Sequence, residues 1–231
     1  MHARPDAEAP PAATIRRVAV EAIGYYYIDE PKGAAARCPA LVGLHGYAQT
    51  ATEFLKLLRS LAPESWTCVA PQGFNQIWDP KSGAISFNWM TAFERWDSVE
   101  RNNAFLDRAL GELEAEGRID PRRIVLLGFS QGSSVAYRYA QRRPGRVAGI
   151  VSVCADLPAD VEADPAPLAG VKFLIAYGAD DPYVPTAKPE RAIAALRGAG
   201  LDVDVHRFTG GHRVASSIGP AMRDWMKDLA R

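Results

Sequence analysis

Two rhythms of apolar residues alternate along this chain. Four short runs, at 40–44, 67–70, 123–128 and 147–153, are apolar at nearly every position and are bounded by turn residues. Strands buried on both faces have this texture, because neither side of the pleat meets water, and such strands belong to parallel sheets covered by helices. Two more strands are predicted at 171–177 and 202–208, the second carrying the alternation Leu201, Val203, Val205. Between the runs, apolar residues fall at helical spacing over 51–61, 98–116, 131–141, 189–197 and 214–229. Each strand is thus followed by an element able to cross back over the sheet. The pattern predicts an α/β fold with a mainly parallel central sheet flanked by helices.

The first stretches past Thr14, at 16–20 and 23–28, read as an antiparallel hairpin or edge pair, with Gly24 and Tyr25, Tyr26 and Tyr27 suiting an amphipathic strand. The stretches 71–96 and 156–170 lack either period and read as loops. The second is too short to fold as a lid, so no large cap domain is expected and the site should be an open groove. No internal repeat is visible. The expected organisation is a flexible, Ala/Pro-rich tail at 1–14 followed by one domain at 15–231.

Composition narrows the function classes. With 48% apolar and 23% charged residues the chain is an ordinary globular sequence, not a collagenous, coiled-coil or disordered one. Lys plus Arg and Asp plus Glu both number 27, so no basic excess exists to attract nucleic acid or anionic lipid. No apolar run reaches the 18 or so residues of a membrane span. The tail carries Arg4, Asp6 and Glu8 and no continuous apolar stretch, so it does not read as a secretory signal, and a cytoplasmic location is expected. Cys38, Cys68 and Cys154 are an odd, widely spaced set that fits neither a disulfide framework nor a zinc site, so buried thiols and no metal are expected.

The chemistry concentrates in Gly128-Phe129-Ser130-Gln131-Gly132. This G-x-S-x-G follows a predicted strand and opens a predicted helix, the context in which a sharp turn projects the serine hydroxyl above the sheet. A serine needs a base to take its proton and an acid to orient that base. Among four histidines, His2 lies in the tail, His206 on the polar side of a strand, and His45 before a tight loop after an early strand; His212 remains. It follows Gly210-Gly211 beyond the last strand, at the same sheet edge as Ser130. For the acid, Asp180 and Asp181 both follow the penultimate strand, and Asp156 follows the strand before it. Asp181 is favoured because Pro182 fixes the backbone after it, while Asp180 suits a turn cap. Nucleophile, acid and base then occur in the order of α/β-hydrolases. An oxyanion would be held by the backbone amides of Gln131 and of Tyr47, in the loop Leu44-His45-Gly46-Tyr47-Ala48-Gln49. The imidazole of His45 can equally bond the backbone of its own turn.

The runs Leu44-His45-Gly46-Tyr47, Gly128-Phe129-Ser130-Gln131-Gly132, Gly178-Ala179-Asp180-Asp181-Pro182-Tyr183-Val184-Pro185 and Gly211-His212 resemble the phospholipase/carboxylesterase family, which includes the acyl-protein thioesterases. The resemblance runs from about residue 38 to the C-terminus. It implies an α/β-hydrolase fold, a hydrolase of carboxylic esters or thioesters without metal or cofactor, and Asp181, directly before Pro-x-Val-Pro, as the acid. The chain departs from the family in Tyr177-Gly178, where His-Gly is frequent, and in Ser133 after the elbow.

Phe74, Trp78, Phe87, Trp89, Phe93 and Trp96 crowd one segment, which reads either as the wall of an acyl or aryl pocket or as a loop pinned to the core. Trp78, Trp89 and His45 are the pocket candidates. The expectation is a serine hydrolase of small to medium acyl or aryl esters, working through an acyl-enzyme. An acyl-protein or acyl-CoA thioesterase or lysophospholipase is the nearest alternative, and a non-catalytic ligand-binding member of the fold is the alternative of another class. Expected partners are a small-molecule ester and, as the one protein partner left open, a second copy of the chain in a homodimer.

Overall fold

The computed structural model describes residues 14, 16–33, 36–227 and 229. The predicted tail, Thr14 apart, lies outside the described residues.

The elements follow in the order β1 (Tyr26–Asp29), β2 (Cys38–Leu44), α1 (Ala51–Leu61), β3 (Thr67–Pro71), β4 (Asn75–Trp78), β5 (Ile85–Asn88), α2 (Arg95–Ala115) and β6 (Ile119–Phe129). They continue with α3 (Gln131–Arg142), β7 (Gly149–Val153), α4 (Ala159–Ala163), β8 (Lys172–Gly178), α5 (Ala187–Gly198), β9 (Asp202–Phe208) and α6 (Ile218–Lys227). Seven strands form one sheet in the order β1-β3-β2-β6-β7-β8-β9. Only β1 is antiparallel to its neighbour; β3, β2, β6, β7, β8 and β9 run parallel. This is the mainly parallel α/β arrangement expected from the alternating rhythms, and the α/β-hydrolase fold that the resemblance implies.

The all-apolar strands divide their side chains between two cores. In β6, Ile124 and Leu126 face one core with Leu106 and Leu110 of α2, Val135 of α3 and Leu196 of α5. Their neighbours Val125, Leu127 and Phe129 face the other, with Phe54 and Leu58 of α1 and Met222 and Trp225 of α6. A period of two over a sheet covered on both sides leaves few positions for a polar residue, which is why these strands read as nearly unbroken apolar runs. Helix α1 starts where Thr50 accepts from the Glu53 amide at 3.3 Å and donates to the Glu53 carboxylate at 2.9 Å, a reciprocal cap.

Four expectations change. Residues 16–25 form no strand: Val18 and Val20 are exposed, and β1 pairs with β3 rather than with an upstream partner. The ladder ends because β3 turns away at Gln72, whose amide still donates to Tyr25 O at 2.8 Å, and Gly24 lies against the ring of Phe105 instead. The stretch 71–96 contains the antiparallel β4–β5 hairpin and the first two residues of α2. The stretch 156–170 contains α4 and a 3₁₀ turn, Ala166–Leu168. Strand β6 begins earlier than its apolar run, accommodating Pro121 where the register with β2 shifts between Cys38 and Ala40. Among the described residues no helix is long and apolar enough to cross a membrane.

Candidate active site

The strand order reverses direction between β2 and β6, and the loops leaving the carboxyl ends of the parallel strands meet above that point, where α/β sheets place their ligands. Ser130 occupies the single residue between β6 and α3 with φ 51° and ψ −115°, a conformation strained for a residue with a side chain. The elbow's glycines make the turn fit. A Cβ on Gly128 would lie 2.7 Å from the carbonyl carbon of Gly132 and closer still to the backbone of Ser133. One on Gly132 would lie 2.5 Å from the carbonyl carbon of Leu44 and 2.7 Å from His45 O. Ser133 donates its hydroxyl to Gly128 O at 2.8 Å and so adds a further tie across the turn.

His212 lies between β9 and α6, and Asp181 lies just past β8. The structure brings both to Ser130. Asp181 Oδ2 accepts from His212 Nδ1 at 2.7 Å, and His212 Nε2 stands 2.9 Å from Ser130 Oγ. With the proton on Nδ1, the Ser130 hydroxyl donates to Nε2. The other Asp181 oxygen accepts from the amides of Tyr183 and Val184, each at 2.9 Å. Burial pushes the Asp181 carboxyl up, but the His212 bond and the two amides outweigh it and hold it below its ordinary value. The imidazole is packed between Phe129 and Tyr183, with ring centroids 4.9 and 5.2 Å away. Asp180 is exposed, and Asp156 instead accepts from Arg191 at 2.8 Å, so neither reaches the ring.

Four backbone bonds extend the sheet's ladder past the strand ends and tie these loops together. Ser130 N donates to Val153 O and Cys154 N to Ala176 O, both at 2.9 Å. Ala179 N donates to Phe208 O at 2.9 Å and Asp180 N to Gly210 O at 3.0 Å. Gly178 permits the last of these, since a Cβ there would lie 2.7 Å from Gly211 O.

In the loop after β2, the Gly46 amide donates to Gln49 Oε1 at 2.6 Å and the Ala48 amide to Phe87 O at 2.9 Å. The Tyr47 amide between them, like that of Gln131 at the start of α3, has no acceptor among the described residues.

His45 and Trp89 are corrected from pocket candidates to scaffold: both are fully buried, their rings 4.9 Å apart. His45 donates from Nδ1 to Gly46 O at 2.8 Å, while its Nε2 accepts from the Gly73 amide at 3.1 Å and the Gln72 side chain at 2.9 Å. Burial lowers its pKa, so the ring stays neutral. Trp89 donates from Nε1 to His45 O at 2.8 Å. The residue that the motif reading passed over is the Gln131 side chain, which accepts from Trp89 N and donates to Met90 O, both at 2.8 Å. Gln131 therefore carries both an uncommitted amide and the clamp that fixes the loop beside it.

A cavity of about 630 Å³ opens beside Ser130, between Met90, Gln131, Arg138, Cys154 and Val184. No aromatic ring lines it, which overturns the aromatic wall: Phe74 packs on Phe105, Trp89 is in the core, and Trp78 is 66% exposed on β4. A larger cleft of about 910 Å³ lies near Asp29, Lys32 and Trp66 and includes none of Ser130, Asp181 or His212. Cys154 Sγ falls within 4.8 Å of ligand atoms of Asp181 and His212, the one such trio among the described residues. It does not fit a metal, because burial first of all raises the thiol to about 11 and the other two side chains are already bonded to each other.

The profile described as phospholipase/carboxylesterase matches residues 26–229. NocK of Nocardia uniformis subsp. tsuyamanensis is 30% identical over 122 residues, covering 49% of this chain and 35% of that protein. The chain thus spans about a third of that relative's length. Esterase PE8 superposes with a TM-score of 0.71 at 23% identity, covering 88% of this chain and 97% of the other. Acyl-protein thioesterase 2 of Zea mays superposes with a TM-score of 0.69 at 19% identity, covering 90% and 100%.

Proposed function

The chain belongs to the phospholipase/carboxylesterase family, and on that footing we propose that it is a serine hydrolase of small to medium carboxylic esters. The observation that carries the reading is the unbroken chain from Ser130 Oγ through His212 to Asp181, at 2.9 and 2.7 Å. Ser130 Oγ attacks the ester carbonyl while its proton passes to His212 Nε2. The imidazolium so formed is stabilised by Asp181, which stays ionised because its other oxygen is held by two amides. The amides of Tyr47 and Gln131 receive the oxyanion, each contributing about 3–4 kcal/mol to lowering the barrier. Collapse expels the alcohol, which takes its proton from His212 and leaves an acyl ester on Ser130. Water, deprotonated by His212, then releases the acid and restores the hydroxyl. A cavity of about 630 Å³ suits substrates of this size.

A fluorophosphonate probe tests the reading: wild type gains the mass of one adduct and Ser130→Ala gains none. Hydrolysis of 4-nitrophenyl acetate and butyrate should fall roughly 10⁴–10⁶-fold in Ser130→Ala. Equal labelling or equal rates in the two proteins overturn it. A series of esters from two to sixteen carbons distinguishes this from a thioesterase-like preference for long acyl groups.

A further inference from the structure

Resting on the reading of Ser130 as nucleophile, we propose that the ester substrate carries a carboxylate and that Arg95 receives it. In the wall of the cavity beside Ser130, charged side chains stand among apolar ones such as Met90, Leu157 and Val184. Three arginines line it, Arg95 from α2, Arg138 from α3 and Arg191 from α5, together with Asp156 and Asp160. Two of the three cations are neutralised by the protein itself. Arg138, 6% exposed, donates from Nε and Nη2 to the two oxygens of Asp160 at 2.8 and 2.7 Å. Arg191 pairs with Asp156 at 2.8 Å and with Glu162. Both aspartates in the wall are thereby committed.

Arg95 is the remainder. Among the described residues its guanidinium has no carboxylate, hydrogen-bond or ring partner, although it borders the cavity that holds Ser130. Its position also runs against helix stability. It is the first residue of α2, where the aligned peptide dipoles disfavour a cation, and the preceding Glu94 caps the helix in a left-handed conformation, φ 43°, with no side-chain bond. Arg95 is exposed at the rim of the cavity, where one unpaired guanidinium attracts an anion and matches a carboxylate with two parallel donors.

The experiment uses two matched pairs of esters. Phenyl acetate and 3-acetoxybenzoate differ by a carboxylate on the leaving alcohol; 4-nitrophenyl hexanoate and mono(4-nitrophenyl) adipate differ by one on the acyl group. In one pair the wild type should show kcat/KM about tenfold higher for the anionic member at low salt, an advantage that shrinks as salt is added. Arg95→Glu and Arg95→Gln should each reduce that ratio by about tenfold. The pair that responds identifies which side of the scissile bond bears the carboxylate. Ratios that are the same in wild type and both variants, for both pairs, overturn the proposal. A Ser130→Ala protein that still turns over these esters sinks the nucleophile reading instead. An inactive Ser130→Ala with ratios indifferent to Arg95 sinks the carboxylate proposal alone.

Discussion

Replacing Gly132 by alanine adds one methyl group where two backbones already touch. The new Cβ would stand 2.5 Å from the carbonyl carbon of Leu44 and 2.7 Å from His45 O, whereas real Cβ atoms keep beyond about 3.0 Å. Both obstacles are main chain, so no rotamer change relieves them; α3 and the end of β2 must part by more than about half an ångström. Overpacking of this kind costs about 2 kcal/mol, which for a chain of this length lowers Tm by roughly 4–8 °C. The displaced segment leads directly to Tyr47, and the moving helix begins with Gln131, so the two proposed oxyanion amides separate. Misplacement on that scale should reduce kcat roughly 10–100-fold. Gly111, in the middle of α2 with no heavy atom within 4 Å of its would-be Cβ, is the control. Gly111→Ala should leave kcat alone and gain about 0.5–1 kcal/mol. The assay is hydrolysis of 4-nitrophenyl butyrate beside thermal melting of both variants. A Gly132→Ala protein with kcat and Tm matching wild type would refute the contact argument, and a lowered Tm with unchanged kcat would separate the oxyanion site from this contact.

Asp181→Asn should lower kcat by roughly 10³–10⁴-fold, since the amide no longer fixes the imidazole tautomer; steady-state rates check this. The depressed Asp181 pKa also makes a stability statement. Its contribution is present above the unfolded-state carboxyl pKa near 3.8 and is lost as pH falls through the lower folded value, so urea midpoints of wild type and Asp181→Asn should converge below about pH 4. Gln131→Ala removes the clamp on Trp89 and Met90 and leaves the buried Trp89 amide unpaired. A loss of about 1–3 kcal/mol is expected by urea titration, and recovery in Gln131→Glu at low pH, where the protonated acid can again donate, would mark the hydrogen bonds as the cause. All three cysteines are buried, with Cys68 and Cys154 pushed up to about 11, chiefly by burial. Folded protein at pH 8 should therefore resist iodoacetamide while guanidinium-unfolded protein is alkylated at all three; rapid alkylation of the folded form would contradict this burial.

The strands most legible in the sequence are those the sheet buries twice over. In β2, in β6 from Ile124 on, in β7 apart from Ser152 and in β8 from Phe173 on, the positions are apolar because these stretches lie between the two cores. Residues 16–20 have alternating apolar character as well, but pairing is decided by what β3 offers on its free edge, and β3 leaves the sheet at Gln72 to reach His45. The β4–β5 hairpin was hidden by its turn, where Asp79 bonds Lys81 N and Ser82 Oγ and Gly83 takes φ 69°; Pro80 and Gly83 there read as loop. Within the site, Ser130 and His212 could be named from motif and chain order. Asp181 could be preferred to Asp180 from Pro182 after it and from the resemblance, while the inward turn of its side chain is seen only in its bond to His212. The charged cavity wall and the Gln131 clamp were illegible for one reason: they join residues 22 to 42 positions apart through side chains whose type any surface helix tolerates.

The four rungs that carry the ladder beyond the strands give the reacting groups no mobile subunit of their own. Ser130 makes one rung itself, and Asp181 and His212 follow one and two residues beyond the rung between Asp180 and Gly210, so their loops are tied to the paired ends of β6, β7, β8 and β9. Enzymes whose reactive centre rides on a separate flap lose turnover at temperatures where their frame is still intact. Here heat should silence hydrolysis and abolish ellipticity at a single midpoint.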